Sequence, residues 1–406
     1  MSSSSVPPSP QTQSISALSS TQAPSPRTSQ SNKKVPSKVW EQLKHYQENL
    51  IYLPLTPPDS RTVVQTPDQH EMPHYVPITL QTPDEVKLAA YYIPHISDGK
   101  LSPHTLLYCH GNAGNIGQRL PIAKILHLGC KLNVFMLEYR GFGRSEGRAD
   151  EKGLKIDSQT ALDWIFAKEE LKRTKVVLYG QSMGGAVVID LASRNPGKIT
   201  AVIVENTFLS LPKLMPHVSP LLRMASFLLH QIWDSETAIT QIDIEVPILL
   251  LSGGKDDVIP QQHMLGLLKT VREARYTAFT KGLGFDAGNS GNDPTPGRLI
   301  RRQSDSMIDV EESTRGSNSS LHEKKAVRPS LLLNSGRGKK GLVQLLLKRN
   351  AHKPNPVDVE LETNTGRSVK NVYGVYWAEF PNGGHGSTCT ESGYFEAIQN
   401  FLRAVL

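Results

Sequence analysis

A serine flanked by glycines stands where an apolar run gives way to a helical pattern, in the stretch VVLYGQSMGG at residues 176–185. The spacing around Ser182 is G-x-S-x-G, and Gly185 adds a further glycine. A sharp strand-to-helix turn needs glycines close to its central serine, because the turn crowds backbone atoms and lifts the hydroxyl above the sheet. This context predicts that Ser182 is a nucleophile and not merely a small residue in a turn.

The serine needs two partners, since its hydroxyl reacts only when a base removes the proton and a carboxylate orients that base. For this type of turn the partners follow in the order serine, acid, histidine. The acid is expected after the apolar run PILLLSG, where the sequence offers Asp256 and Asp257. The base is expected in the loop after the last apolar run, where FPNGGHGST supplies His385.

An oxyanion hole would complete such a site, because backbone N–H groups stabilise the negative oxygen of an acyl-transfer transition state. We expect its donors to be the amide of Asn112, in the loop HGNAGN, and the amide of Met183, the residue after the nucleophile. His110 is expected to shape the same loop. Arg140 is expected to form a structural ion pair rather than to act in catalysis.

Short apolar runs alternate with helical periodicity from Trp40 onward, which indicates strands joined by helices around a mainly parallel sheet. The first two runs are separated only by QTPDE, so the sheet is expected to open with an antiparallel pair. The eight predicted strands are residues 76–80, 86–93, 104–110, 133–139, 175–180, 200–206, 247–253 and 372–380.

The segment between the sixth and seventh runs, residues 208–242, is expected to form a small helical cap over the carboxyl edge of the sheet, where ligands of open α/β folds bind. Its part SPLLRMASFLLHQIW is too interrupted by polar residues to span a bilayer and predicts an amphipathic helix. Its apolar side chains suit an acyl pocket or ordinary core packing equally: Leu221, Phe227, Leu228 and Trp233. The histidines in or near the cap and helices are expected to be exposed or packed: His217, His230 and His263.

The net charge of +7 on 406 residues is concentrated in two segments, residues 1–48 and 281–370. Residues 1–39 are Ser/Pro-rich, and residues 276–371 contain a long polar, breaker-rich stretch. Both are expected to be disordered, the second as a basic insertion in a single domain of residues 40–406. Because the basic charge belongs to these segments, a nucleic-acid partner is not expected.

The three cysteines, Cys109, Cys130 and Cys389, show no disulfide or zinc spacing, so neither a metal nor a disulfide framework is expected. The stretches GNAGN and GFGRSEG lack the spacing of a dinucleotide site, and no cofactor is expected. The N-terminus lacks the apolar region of a signal peptide, which favours an intracellular, cytoplasmic location.

Eight motifs in one order resemble those of the bud-emergence-type α/β-hydrolases of fungi, which are similar to the animal α/β-hydrolase domain-containing protein thirteen. The resemblance covers most of the chain outside the N-terminal segment and the insertion. It implies the α/β-hydrolase fold: an eight-stranded, mostly parallel sheet with helices on both faces and a small cap. The motifs are YQENLIYLP, TPDEVKLAAYYIP, YCHGNAGNIG, LEYRGFGRSEG, YGQSMGGAVVIDLA, ENTFLSLPKL, LSGGKDDVIP and FPNGGHGSTCTESGYFEAIQNFL.

The resemblance carries over a catalytic triad of Ser182, Asp256 and His385, with Asp256 preferred to Asp257 by its spacing from the preceding strand. The chain departs from the family in two places. It has no candidate for the membrane-spanning helix that members usually carry, and Gly386-Ser387 follow the histidine where the family commonly has Asn-Asp.

The implied activity is that of a serine hydrolase acting on a carboxylic ester or acyl thioester, of a lipid or a palmitoylated protein. A peripheral membrane contact is also implied. Two alternatives remain open: a serine peptidase on the same triad, and a non-catalytic membrane or polarity scaffold.

Overall fold

The computed structural model describes residues 37–218, 229–282, 360–362 and 368–406. Residues 1–43 and residues 44–406 form two units, and the side-chain contacts discussed below all lie in the second. The helices of the described chain are α1 Ser37–Ile51, α2 Leu120–Gly129, α3 Glu151–Ala167, α4 Met183–Arg194, α5 Leu211–Val218, α6 Ser235–Thr240, α7 Gln262–Gly282 and α8 Tyr394–Val405. The strands are β1 Val76–Gln81, β2 Lys87–Ile93, β3 Ile96–Ser97, β4 Lys100–Leu101, β5 His104–Cys109, β6 Asn133–Leu137, β7 Lys175–Gln181, β8 Ile199–Glu205, β9 Ile248–Gly253, β10 Glu360–Glu362, β11 Ser368–Val372 and β12 Val375–Phe380.

Ten of the described strands form one sheet in the order β1-β2-β6-β5-β7-β8-β9-β12-β11-β10. The central strands from β6 to β12 run parallel. At one edge β1 and β2 are antiparallel, and at the other β11 and β10 are antiparallel. The predicted fold class, a mostly parallel sheet that opens with an antiparallel pair, is confirmed.

Side chains of the central strands alternate between two cores, one on each face of the sheet. Along β7, Val176 and Leu178 belong to one core, and Val177 and Tyr179 to the other. The first core is covered by residues of α3, α4 and α7, and the second by residues of α2 and α8. Strands buried on both faces read as continuous apolar runs, which is why the sequence pattern located them.

The last predicted strand, residues 372–380, is wrong in one respect, because it is a tight hairpin and not a single strand. Tyr373 and Gly374 have φ values of 54° and 72°, as both central residues of a two-residue hairpin turn require. The chain therefore reverses, and β11 pairs antiparallel with β12. Tyr373 is an unusual turn residue, so the sequence VYGVYWAEF looked like one uninterrupted strand.

Parts of the predicted insertion belong to regular elements. Helix α7 continues to Gly282, and β10 and β11 also lie within residues 276–371. Near the end of α7 the rings of Tyr276 and Phe279 lie 6.0 and 5.8 Å from the ring of Tyr373. This end of the helix therefore lies beside the turn that precedes β12. The rest of the predicted insertion is outside the described residues.

The predicted cap lies between β8 and β9 and contains α5 and α6. Leu221, Phe227 and Leu228 are outside the described residues. Residues 229–233, the end of the expected amphipathic helix, are not helical. Their backbone bonds to neighbouring segments instead, since Ile232 accepts from the Leu211 amide at 2.8 Å and donates to the Glu151 carboxylate at 2.6 Å.

Arg140 forms the structural ion pair that its motif predicted. Its Nε donates to Asp157 Oδ1 at 2.8 Å, and the Arg140 amide donates to Asp157 Oδ2 at 2.8 Å. The other end of the guanidinium binds both carboxylate oxygens of Asp84, at 2.7 and 3.0 Å. Arg140 holds the pKa of Asp84 well below its usual range, mainly through these hydrogen bonds. The pairing joins α3 to the loops after β1 and β6.

We expect the substitution Arg140→Met to lower the free energy of unfolding by about 3–5 kcal/mol, because it leaves the fully buried carboxylate of Asp157 without its positively charged partner. Urea denaturation of the full chain measures this change. The control is Arg194→Met, which removes an ion pair to Asp190 from a side chain 38% exposed. The control should lose about 1 kcal/mol or less, and equal losses in the two variants would contradict a special role for Arg140.

Candidate active site

Ser182 lies in the sharp turn between β7 and α4, with φ 57° and ψ −122°. The turn is possible because small residues surround it. A Cβ on Gly184 would lie 2.1 Å from the carbonyl oxygen of Cys109, and one on Gly180 would lie 2.1 Å from the carbonyl oxygen of Gly184. Both contacts are with backbone, so neither position accepts a larger residue without a shift. This is the elbow geometry that the G-x-S-x-G spacing predicted.

His385 and Asp256 form a continuous hydrogen-bond chain with Ser182. The imidazole Nε2 is 2.9 Å from Ser182 Oγ, and Nδ1 is 2.9 and 3.1 Å from the two carboxylate oxygens of Asp256. The Asp256 side chain is 1% exposed and that of His385 is 20% exposed. A carboxylate acceptor at Nδ1 places the imidazole proton there, so Nε2 is left free to accept the serine proton.

The loop after β9 selects between the two candidate acids. Asp256 Oδ1 accepts from the amides of Val258 and Ile259 at 2.9 and 2.7 Å, which fixes its carboxylate towards His385. Asp257 is exposed, and none of the hydrogen bonds to the imidazole reaches it. The geometry therefore assembles Ser182, Asp256 and His385 and leaves Asp257 outside.

The loop that carries His385 is held by two amide side chains. Asn206 Nδ2 donates to the His385 carbonyl at 3.2 Å and to Thr388 Oγ1 at 2.9 Å, and Gln181 Nε2 donates to the same carbonyl at 3.3 Å. Asn206 Oδ1 accepts from the Gly253 amide at 2.8 Å. Asn206 thus ties the histidine loop to the end of β9, just before the acid.

A buried carboxylate lies beneath this loop, and the sequence pattern did not indicate it. Glu205 is fully buried, and its Oε2 accepts from the hydroxyls of Tyr179 and Tyr394 at 2.6 Å each. Burial raises the pKa of Glu205, while the two tyrosine hydrogen bonds and the positive charge of His385 oppose that rise. Such short O–H···O contacts are typical of an ionised acceptor. The sequence carried no usable signal, because the two hydrogen bonds join residues 26 and 189 positions apart in the chain.

The expected oxyanion loop follows β5, and its two ends are held by one carboxylate. The Nε2 atom of His110 lies 3.2 Å from Glu138 Oε1, and the amide of Ile116 donates to Glu138 Oε2 at 3.2 Å. Both side chains of the His110–Glu138 pair are fully buried. His110 Nδ1 also contacts the carbonyl oxygen of Gly111 at 2.7 Å. His110 therefore shapes this loop, as its position suggested.

The amides of Asn112 and Met183 donate no hydrogen bond to any residue in the described parts of the chain. Gly111 lies against the elbow, because a Cβ placed on it would be 3.5 Å from Ser182 Cβ. Both expected oxyanion donors are therefore neighbours in sequence of residues at the elbow, and no described residue accepts a hydrogen bond from either amide.

The other histidines differ in their environments. His263 is buried, its Nδ1 accepts from the Leu209 amide at 3.3 Å, and its ring lies 5.3 Å from that of the exposed His217. Burial, with the nearby positive charges of His217 and Lys213, lowers the pKa of His263 to about 4, so it is neutral at physiological pH. His230 is half-buried and bonds to Gln47 at 2.7 Å. None of them contacts the hydrogen-bond chain of Ser182.

The described residues contain no group of three or more His, Cys, Asp and Glu side chains that could hold a metal ion. No helix in that part of the chain has the length and apolar character needed to cross a bilayer.

The three cysteines carry free thiols, and burial raises the pKa of the Cys389 thiol, the one nearest His385 in sequence, to about 11.

Known proteins are similar to this chain in sequence. The model of the family described as serine aminopeptidase, S33 matches residues 102–242. Protein bem46 of Schizosaccharomyces pombe is 43% identical over 224 residues, which cover 55% of this chain and 74% of bem46. The uncharacterized membrane protein YNL320W of Saccharomyces cerevisiae is 39% identical over 60% of this chain and 83% of its own.

The alpha/beta hydrolase domain-containing protein WAV2 of Arabidopsis thaliana is 33% identical over 61% of this chain and 84% of its own. Among solved structures, an esterase of Pyrococcus furiosus is 19% identical over 53% of this chain and 82% of its own, with a TM-score of 0.44. The identity to bem46 and WAV2, over most of the length of each, shows that the proteins are homologous. This chain therefore belongs to the α/β-hydrolase family that includes both of them, and it is a hydrolase.

Proposed function

We propose that the protein is a serine hydrolase that cleaves a carboxylic ester or an acyl thioester through an acyl-Ser182 intermediate. The observation that carries the proposal is the hydrogen-bond chain from Ser182 Oγ through His385 to Asp256, with a 2.9 Å contact between Nε2 and Oγ. A serine in an elbow, bonded to a histidine that a buried carboxylate orients, is an arrangement suited to acyl transfer.

In the first half-reaction, His385 Nε2 takes the proton of Ser182 Oγ while Oγ attacks the acyl carbon. The carbonyl oxygen becomes an oxyanion, which the amides of Asn112 and Met183 stabilise. The carbon–oxygen or carbon–sulfur bond then breaks, and His385 gives its proton to the departing alcohol or thiol. Asp256 stays ionised throughout and stabilises the imidazolium.

In the second half-reaction a water molecule takes the place of the leaving group. His385 removes a proton from the water, and the hydroxide oxygen attacks the acyl-Ser182 carbon. The same amides hold the second oxyanion, and its collapse releases a carboxylic acid while His385 returns the proton to Ser182 Oγ. No cofactor takes part in either half.

The acyl group is proposed to be lipid-like, on a lipid or a palmitoylated protein, as the resemblance to bud-emergence-type hydrolases implies. The apolar residues beside the elbow, Met183 and Phe208, are both buried members of the protein core. Met183 is next to the nucleophile, and Phe208 lies on the segment that begins at Thr207, whose hydroxyl donates to the Ser182 carbonyl at 2.7 Å. The peripheral membrane contact expected from the same resemblance stays a prediction.

A peptidase activity is the second candidate, and one observation favours it: the matching family model is described as a serine aminopeptidase. The same triad can attack an amide, but an amine is a poorer leaving group than an alcohol or thiol and must be protonated as it departs. The two candidates therefore differ in the substrate and not in the residues that act on it.

The substitution Ser182→Ala is expected to lower hydrolysis by about 10⁵–10⁶-fold, because it removes the nucleophile. The purified full chain should react with a fluorophosphonate probe, and the variant should not. Ser193→Ala is the matched control, since Ser193 lies on α4 and its hydroxyl bonds only to the Asp190 carbonyl. If Ser182→Ala keeps the wild-type rate, the acyl-Ser182 mechanism is wrong. If the folded wild type is not labelled, a non-catalytic scaffold is favoured instead.

A pair of neighbouring substitutions tests the assignment of the acid. We expect Asp256→Asn to lower kcat by roughly 10³–10⁴-fold, because an amide at this position no longer enforces the reactive tautomer of His385. Asp257→Asn should leave kcat near the wild-type value, since Asp257 is exposed and does not contact the imidazole. Steady-state kinetics on one activated ester measures both variants, and the reverse order of effects would assign the acid to Asp257.

A substrate panel separates the two candidate activities. Long-chain acyl esters, long-chain acyl thioesters and amino-acid amides are compared at equal concentrations with wild type and Ser182→Ala. We expect turnover of the esters or thioesters that depends on Ser182, because an alkoxide or thiolate leaves more readily than the anion of an amine. Cleavage of the amides alone would overturn the esterase proposal and establish the peptidase.

A further inference from the structure

The segment that follows α1 clasps the expected oxyanion loop. Asn112 Nδ2 donates to the Ile51 carbonyl at 2.5 Å, and the Leu53 amide donates to Asn112 Oδ1 at 3.3 Å. Leu53 also forms a parallel bridge with Ala113. The side chain of Asn112 is therefore hydrogen-bonded to the residues immediately before and after Tyr52, and we call this pair of bonds the clasp. The backbone amide of Asn112 can move only if the clasp breaks.

The side chain of Tyr52 reaches in the opposite direction, towards the end of the cap. Its hydroxyl donates to Gln231 Oε1 at 2.8 Å and accepts from Trp233 Nε1 at 3.0 Å. Gln231 Oε1 also accepts from the amide of Glu151, the first residue of α3, at 2.6 Å. These bonds connect Tyr52 to the segment of residues 231–233, which lies within the cap just before α6.

Burial makes this link strong. Tyr52 is 3% exposed, Gln231 is 4% exposed and Trp233 is 2% exposed, so water does not replace a lost bond. Burial also raises the pKa of Tyr52 well above its usual value, and the hydroxyl therefore keeps its proton and remains a donor to Gln231. A buried hydroxyl with one donor and one acceptor partner has a single favoured position.

We propose that Tyr52 is a positioning residue for the oxyanion hole, through which the segment of residues 231–233 fixes the amide of Asn112. This inference rests on the proposed function, because it assigns a consequence to the oxyanion role of Asn112. Tyr52 does not touch the substrate. The hydroxyl of Tyr52 is bound by Gln231 and Trp233, and the backbone groups of the residues before and after Tyr52 bind the side chain of Asn112.

The expected effect is specific to the transition state. The oxyanion forms only as the acyl carbon is attacked, so a displaced amide weakens the transition state more than the bound substrate. Loss of the Tyr52 hydroxyl should therefore lower kcat and kcat/KM together, while KM stays unchanged. A tyrosine that only stabilises the fold would instead lower the melting temperature without changing kcat per folded site.

The test compares Tyr52→Phe with Tyr92→Phe in the full chain. Tyr92 is also buried, at 6% exposed, and its hydroxyl has no hydrogen-bond partner among the described residues, so its removal costs no contact with them. Kinetics with a short activated ester are measured below the melting temperature of every variant, and rates are divided by the number of sites that a fluorophosphonate titrates. We expect kcat of Tyr52→Phe to fall about tenfold, in keeping with the effect of small displacements at reacting centres, and Tyr92→Phe to match the wild type.

A double substitution distinguishes a common pathway from two separate effects. Asn112→Ala keeps the backbone amide but removes the clasp, and kcat should fall about 10²-fold, the cost of losing an oxyanion donor. Adding Tyr52→Phe to it should lower kcat little further, because the link is already broken. Effects that multiply in the double variant would overturn the proposal, and so would a Tyr52→Phe enzyme with the kcat of Tyr92→Phe.

Gln231→Met supplies a second route if Tyr52→Phe does not fold. It removes the acceptor of the Tyr52 hydroxyl and leaves Tyr52 itself in place, and it should give the same loss of kcat at constant KM. A Gln231→Met enzyme with wild-type kcat would also overturn the proposal. Failure of the proposed function has a different outcome, since the wild type itself would then neither hydrolyse the ester nor react with the probe.

Discussion

Ser182 has a φ of 57°, a conformation that a serine keeps only where the surrounding contacts leave it no alternative. Those contacts are backbone against backbone: the start of α4 packs so closely on the end of β5 that Gly184 has no room for a Cβ. Thr207 adds a hydrogen bond to the Ser182 carbonyl, and the Ser182 amide donates to the Glu205 carbonyl at 2.8 Å. Every other part of the site is placed relative to this one strained residue.

The parallel sheet brings the other groups to the same place. Ser182, Asp256 and His385 each follow the carboxyl end of a strand, and β7, β8, β9 and β12 are neighbours in that order. The serine and the histidine are 203 positions apart in the chain, yet their reacting atoms are in hydrogen-bond contact. Parallel register makes this possible, because it aligns strand ends regardless of the length of chain between them.

The sequence allowed the strands, the elbow and the candidates for base and acid to be predicted, since each has a local signature: an apolar run, a glycine pattern, or a polar residue just after a strand. The choice of Asp256 over Asp257 needed a family resemblance, because both residues follow β9 and only the amides of Val258 and Ile259 orient one of them.

The turn at Tyr373 was missed because it lacks the usual turn residues. Glu205 and Tyr52 were missed for a different reason. Their roles depend on hydrogen bonds to residues far away in the chain, which leave no mark on spacing or periodicity.

The connection between α7 and β10 starts from the end of α7, at the end of β12 opposite His385. The end of α7 lies beside the Tyr373 turn, which precedes the amino end of β12, whereas His385 follows its carboxyl end. The closure entropy of a loop rises only with the logarithm of its length, so this connection can vary greatly in size at small cost to the fold. The number of residues in this connection therefore has little influence on the geometry of the triad.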